Sequence, residues 1–192
     1  MTSRRSLLFD QALAADPVAI ARLLVATPSV NPALSPDGTG EAEIAEVIAD
    51  LLGAWGLSPE TREVAPGRYN VLASIDGDGP VLMLNGHLDT VGVEGMSVPP
   101  FAAEIVDSRL VGRGACDMKG GLAAVLAATA RLHSVGPRPN LLVALTADEE
   151  HASLGMQAVV EEGPRAELAV VCEPTGLTVM PAHKGFVWVR AS

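Results

Sequence analysis

Apolar residues recur along this chain in two patterns. In residues 16–26, "DPVAIARLLVA", they fall at helical spacing behind Asp16 and Pro17, a cap and a first-position proline that predict a helix start. Residues 41–56, "EAEIAEVIADLLGAWG", repeat the spacing and stop at Gly56. The second pattern is a set of short unbroken runs: "NVLASI" (70–75), "VLMLN" (81–85), "LLVALTA" (141–147) and "LAVVC" (168–172). They do not alternate with polar residues, which is the habit of strands covered on both faces. An Ala-rich helix over 119–133 separates the second run from the third, and a short helix over 154–162 precedes the last. Between the first two helices lies a Pro/Gly-rich loop, "TPSVNPALSPDGTG". This order predicts an α/β fold, a three-layer sandwich with a central, mostly parallel mixed sheet.

Composition narrows the function classes. The 192 residues suffice for one ordinary domain, and 48% hydrophobic content argues against disorder. A net charge of −10 with no Lys/Arg cluster argues against nucleic acid or an anionic membrane as partner. Two cysteines, Cys116 and Cys172, do not make a disulfide framework, so a reduced, cytoplasmic setting is expected. Each precedes a candidate ligand, which predicts that both thiols point the other way, into the core. The start, "SRRSLLFD", carries the arginine pair of an export signal, but Asp10, Gln11 and Asp16 interrupt the apolar stretch that such a signal requires. No apolar run approaches the roughly 20 residues of a membrane span.

The chemistry sits where the apolar runs end. After "VLMLN" come Gly86 and then His87-Leu88-Asp89; after "RLVGRG" come Cys116 and Asp117; after "LLVALTA" come Asp148, Glu149 and Glu150; after "LAVVC" come Glu173 and Pro174. Ligands of open α/β sheets bind beyond the carboxyl ends of the strands. Parallel strands would therefore deliver several acids and one imidazole to one edge. Each piece has a bland reading: a helix start for the acidic run, an N-cap for Asp117, a turn at Glu173. Taken together, the bland readings do not explain why every feature comes just after a strand.

Imidazole and carboxylates suit zinc or a similar divalent ion, and so many carboxylates suit two ions better than one. Asp117, in the middle of the set, is the best bridge. Along an extended segment His87 and Asp89 point the same way, so Asp89 can take the second ring N–H of His87. The side chains of Glu149 and Glu150 diverge, leaving one for the metal and one as general base.

Five segments, "NGHLDTV" (85–91), "GRGACDMKGG" (112–121), "TADEEHASLG" (146–155), "CEPT" (172–175) and "AHKGF" (182–186), together resemble the M20 metallopeptidases. Within that family they look most like the branch of acetylornithine deacetylase and succinyl-diaminopimelate desuccinylase. The resemblance implies a hydrolase with two zinc or cobalt ions, acting on N-acylated amino acids or small peptides. It implies His87 and Glu173 as ligands of one ion, Glu150 of the other, Asp117 as bridge, Asp89 as the group orienting His87, and Glu149 as general base. It also implies a cis peptide after Asp117. Residues 1–180 would then be the N-terminal part of a catalytic domain. Residues 181–192 would open a lid through which the family dimerises, with a last histidine ligand beyond it. On that expectation the second ion lacks its imidazole in this chain, which is weak or inactive alone. The competing expectation is a non-catalytic metal-binding remnant, or a half-chain that needs a partner.

Overall fold

The computed structural model describes residues 3–135 and 138–182. The helix predicted behind Asp16 is α2 (Pro17–Val25), preceded by α1 (Ser3–Ala12). The Asp16 carboxylate accepts from the N–H groups of Val18 and Ala19 at 3.0 and 2.8 Å, which satisfies two donors of the first turn. The second predicted helix is α3 (Ala42–Ala54), and the chain leaves it through Gly56 at φ +88°. Strands β1 (Glu60–Ala65), β2 (Arg68–Ile75) and β3 (Asp78–His87) come next, then a small hairpin of β4 (Glu104–Val106) and β5 (Arg109–Val111). The described chain continues through α4 (Gly120–Ser134), β6 (Pro139–Thr146), α5 (Leu154–Glu162) and β7 (Leu168–Val171).

The main sheet has the order β1-β2-β6-β3-β7. β6, β3 and β7 pair in parallel, whereas β2 is antiparallel to both β1 and β6. The reversal of β2 brings its amino end to the carboxyl edge of β6, so the first residues of β2 stand level with the end of β6. Side chains alternate across the sheet. Val71, Ala73, Ile75, Leu141, Val143 and Leu145 join a large core with residues of α1, α2, α3 and α4. Leu72 and Ala144 face the other way, into a small cluster with Val159 of α5. Three layers result, the second helical layer being thin. β3 meets its helical layer closely: a Cβ at Gly86 would fall 2.8 Å from both Met118 and Leu122.

Two elements depart from the sequence pattern. The arginine-bearing start is a packed helix, in which Leu8 and Ala12 are buried, Arg5 pairs with Glu43 and Arg4 donates to the Ala102 carbonyl. The last apolar run, read as a covered strand, is exposed throughout β7, because among the described residues β7 is an edge strand bonded to β3 alone. No described helix is long and apolar enough to cross a membrane. Pro181 and Ala182 are described, but the remainder of 181–192, with His183, lies outside the described residues.

Candidate metal centre

Strand register assembles the site. His87 is the last residue of β3 and pairs with Thr146 at the end of β6, so His87 and the acids after Thr146 leave the sheet on one level. Asn85 pairs with Val171, which brings Glu173 up beside them. Asp117 enters from the turn before α4, and the Asp117–Met118 peptide is cis, as the resemblance implied.

The imidazole of His87 is buried, and its two nitrogens have different tasks. Nδ1 lies 2.9 Å from the backbone carbonyl of Asp89. Nε2 faces the cluster, 3.0 Å from Asp117 Oδ1, 3.8 Å from Glu173 Oε1 and 3.9 Å from Glu149 Oε2. Two groupings of donor atoms lie within 4.8 Å of one another: His87, Asp117 and Glu150, and His87, Glu149 and Glu173. All five chemistry-bearing residues nominated around His87 therefore meet, if Asp89 is counted through its carbonyl.

Asp89 acts differently from the expectation at one atom. Its carboxylate is 3.6 Å from His87 Nδ1, farther than its own carbonyl. Other donors occupy it: Asn31 Nδ2 at 2.7 Å and the N–H groups of Glu149 and Glu150 at 3.0 and 3.2 Å. Burial opposes its ionisation, but His87, Asn31 and the Glu149 N–H outweigh that and hold its pKa below the usual value.

The charges above Asp89 are unbalanced. Burial opposes a charged His87, yet Asp117, Asp89 and Glu173 raise its pKa to about 11. Burial, joined by repulsion from Asp117 and Glu149, outweighs the pull of His87 on Glu173 and pushes it up to about 7. Glu150 is raised too, first by burial. Several carboxylates thus share one imidazole in a half-exposed cleft, a surplus that a divalent cation would relieve. Imidazole nitrogen and carboxylate oxygens are the donors zinc and its neighbours take, so the residues fit such an ion.

Beneath this cluster lies a second set of charges that the sequence did not disclose. Glu41, Arg68 and Asp148 have side-chain exposures of 0%, 8% and 0%. Arg68 grips Glu41 with Nε and Nη2, each 2.6 Å from a different oxygen, and reaches Asp148 Oδ1 with Nη1 at 2.9 Å. Burial raises the Glu41 carboxyl and the guanidinium pulls it only part of the way back; the two-pronged contact has the geometry of a charge-assisted pair. The signal was only a lone arginine ahead of an apolar run; its value depends on β2 running antiparallel to β6. Lys119 was missed as well. It is fully buried and donates to the Thr27 carbonyl at 2.7 Å, tying the turn after Asp117 to the loop after α2. The thiols also differ from expectation: Cys172 packs partly against the core, but Cys116 is exposed, since its turn faces the open side of β7.

An α/β sheet with imidazole and carboxylates gathered beyond its parallel strands defines a metal-site class, and comparison supplies the family. The profile of Peptidase family M20/M25/M40 matches residues 83–183, and the chain belongs to that family. A succinyl-diaminopimelate desuccinylase of Rhodospirillum rubrum is 40% identical over 181 residues, 84% of this chain and 44% of that protein. An M20 family metallo-carboxypeptidase from Sulfolobus solfataricus shares the fold with a TM-score of 0.72 at 23% identity, over 82% of this chain and 37% of that one. A dinuclear metal binding peptidase of the M20 family from Bacillus subtilis does so with a TM-score of 0.57 at 20% identity, over 84% and 43%. The chain spans less than half the length of each of these relatives.

Proposed function

We propose that this chain is the N-terminal part, over residues 1–180, of the catalytic domain of a metal-dependent amidohydrolase. Its substrate class is an N-acyl amino acid or a small peptide. The observation that carries the reading is the meeting of His87, Asp117, Glu149, Glu150 and Glu173, from four separate segments, at one sheet edge. The desuccinylase and peptidase names of the relatives support the kind of bond cleaved. Two free cysteines suit a reducing, cytoplasmic compartment.

In this reading His87, Asp117 and Glu173 would hold one divalent ion and Glu150 a second, with Asp117 as the shared carboxylate. Zinc or cobalt matches the donor set. Bound there, the ions supply Lewis acidity toward the scissile carbonyl and lower the pKa of water. Glu149 is the general base: its carboxylate takes a proton from the attacking water and passes it to the leaving nitrogen. The Asp89 carbonyl holds the His87 ring by Nδ1, leaving Nε2 for the metal. Asp89 also fixes the backbone of both glutamates.

Metal analysis and turnover test the reading together. Hydrolysis of N-acetyl and N-succinyl amino acids by the natural polypeptide should require added zinc or cobalt. Glu149→Gln should abolish turnover with metal content nearly unchanged, whereas Glu150→Gln should lose metal. Equal metal loss in both variants would refute the division of roles. Among the described residues His87 alone brings an imidazole to the cluster, so in the 192-residue chain one ion should survive dialysis and a second should not.

A further inference from the structure

The cluster needs both Glu149 and Glu150, but successive side chains leaving a strand diverge. The chain solves this one residue earlier. Asp148 sits in the left-handed region at φ +66°, a conformation that non-glycine residues hold only where their surroundings fix it. The surroundings of Asp148 do so from three sides. Its N–H donates to Glu41 Oε1 at 3.2 Å. Its carbonyl accepts from the N–H groups of Ala152 and Ser153 at 3.1 and 2.6 Å. Its Oδ1 receives Asn31 Nδ2 at 3.0 Å and Arg68 Nη1 at 2.9 Å.

We propose that Arg68, anchored by Glu41 and acting through Asp148, is a positioning residue that sets where Glu149 and Glu150 stand in the metal cluster. Strand direction makes this possible. Val71 pairs with Leu145 in antiparallel register, and continuing that register places Arg68 opposite Asp148. The guanidinium is the only basic group recorded in contact with Glu41 among the described residues, and one planar fork serves both acids. Asn31 then joins the two levels, because its amide nitrogen bonds both Asp148 Oδ1 and Asp89 Oδ2. Asp89 in turn receives the two glutamate N–H groups. A displacement of Arg68 thus reaches the Glu149 and Glu150 backbone by two routes, through Asp148 and through Asn31 and Asp89. A lysine would keep the positive charge but could not span both acids with a planar fork.

The inference rests on the metal-centre reading, so the test separates the two. In the 192-residue chain, Arg68→Lys and Asp148→Asn are compared with wild type and with His87→Ala. The readouts are cobalt affinity by chelator competition, the visible absorption of bound cobalt, and amide hydrogen exchange of the metal-free chain. Arg68→Lys and Asp148→Asn should weaken cobalt binding by roughly 10- to 100-fold, as loss of groups supporting metal ligands does, and should alter the cobalt spectrum of the folded protein. In the metal-free chain, exchange over residues 148–153 should rise while that of β3 and β6 stays unchanged. A role confined to stability would lower the unfolding midpoint, leave affinity and spectrum of the folded fraction as in wild type, and overturn the inference. If wild type and His87→Ala bind cobalt alike, the metal-centre reading fails, and the exchange experiment alone decides: no local rise at 148–153 refutes the positioning role. If Arg68→Lys does not fold, the near-isosteric Asp148→Asn carries the same test.

Discussion

Two groups of acids stand one above the other at the carboxyl edge of the sheet, and they differ in what answers their charge. Below, Glu41 and Asp148 are fully buried and share the guanidinium of Arg68 at 2.6–2.9 Å. Above, Asp117, Glu149 and Glu173 have side-chain exposures of 53%, 43% and 34% around the single imidazole of His87. Burial of a carboxylate is tolerable only with a well-placed partner, and the lower group has one within the chain. The upper group stays half-open to solvent and has a surplus of negative charge. The acidic run Asp148-Glu149-Glu150 is divided between them. Its first member turns down to the arginine; the other two belong to the surface where a metal ion would supply the missing positive charge.

The largest expected effect breaks the lower group. Arg68→Met leaves Glu41 and Asp148 buried without their cation and should destabilise the metal-free chain by about 3–5 kcal/mol, the usual consequence of removing one partner from a buried pair. Asp117→Asn in the upper group should cost less, because Asp117 is itself half exposed and Glu149 and Glu173 still surround the buried imidazole of His87. Urea unfolding with a chelator present measures both. Equal losses in the two variants would erase the distinction between the groups.

Zinc should act on the upper group alone. At 100 times the dissociation constant, a ligand bound only by the folded state adds about 2.7 kcal/mol. In a domain of this size that corresponds to a rise of roughly 5–10 °C in Tm. His87→Ala should abolish the rise, and a chelator should reverse it in wild type. A rise that persists in His87→Ala would mean that the ion binds elsewhere.

Much of this was legible in the sequence because it depends on local order. The cap of α2 is written in Asp16-Pro17, and α5 falls on its expected residues because a helix that short has its bounds set by the flanking loops. His87, Asp117, Glu150 and Glu173 could be nominated because each comes after an apolar run or precedes a helix, and the carboxyl edge of parallel strands does the rest. What was hidden depends on strand direction and on distant partners. β1 and the direction of β2 leave no mark in apolar content: β1, "ETREVA", is polar and half-exposed, and the run "NVLASI" marks β2 as a strand but not which way it runs. Arg68 and Glu41 are 27 residues apart and Arg68 and Asp148 meet only if β2 runs antiparallel to β6. The role of the Asp89 carbonyl was hidden for a different reason, since residue identity says nothing of a backbone acceptor.

The smallest expected effect concerns salt. At 1 M ionic strength the screening length is about 3 Å, no longer than the 3.0–3.9 Å that separate His87 Nε2 from the carboxylate oxygens of the upper group. Solvent ions reach that cleft but not the buried arginine pair. In the metal-free chain at pH 8 Glu173 is ionised against burial and neighbouring carboxylates, so Glu173→Gln should stabilise at low salt by about 0.5 kcal/mol, in the range of exposed charge pairs. Net charge alone, at −10 for the chain, would make any lost carboxylate mildly stabilising. Glu104→Gln controls for this, because Glu104 is exposed on β4 and its replacement removes the same unit of charge away from the cluster. The quantity to measure is the difference in urea midpoint between the two variants, at 50 mM and at 1 M salt. It should favour Glu173→Gln at low salt and vanish at high salt, with Arg68→Met unchanged between the two conditions. A difference that survives 1 M salt would point to packing at Glu173 instead of repulsion, and the upper group would then no longer be distinguished from the lower by unanswered charge.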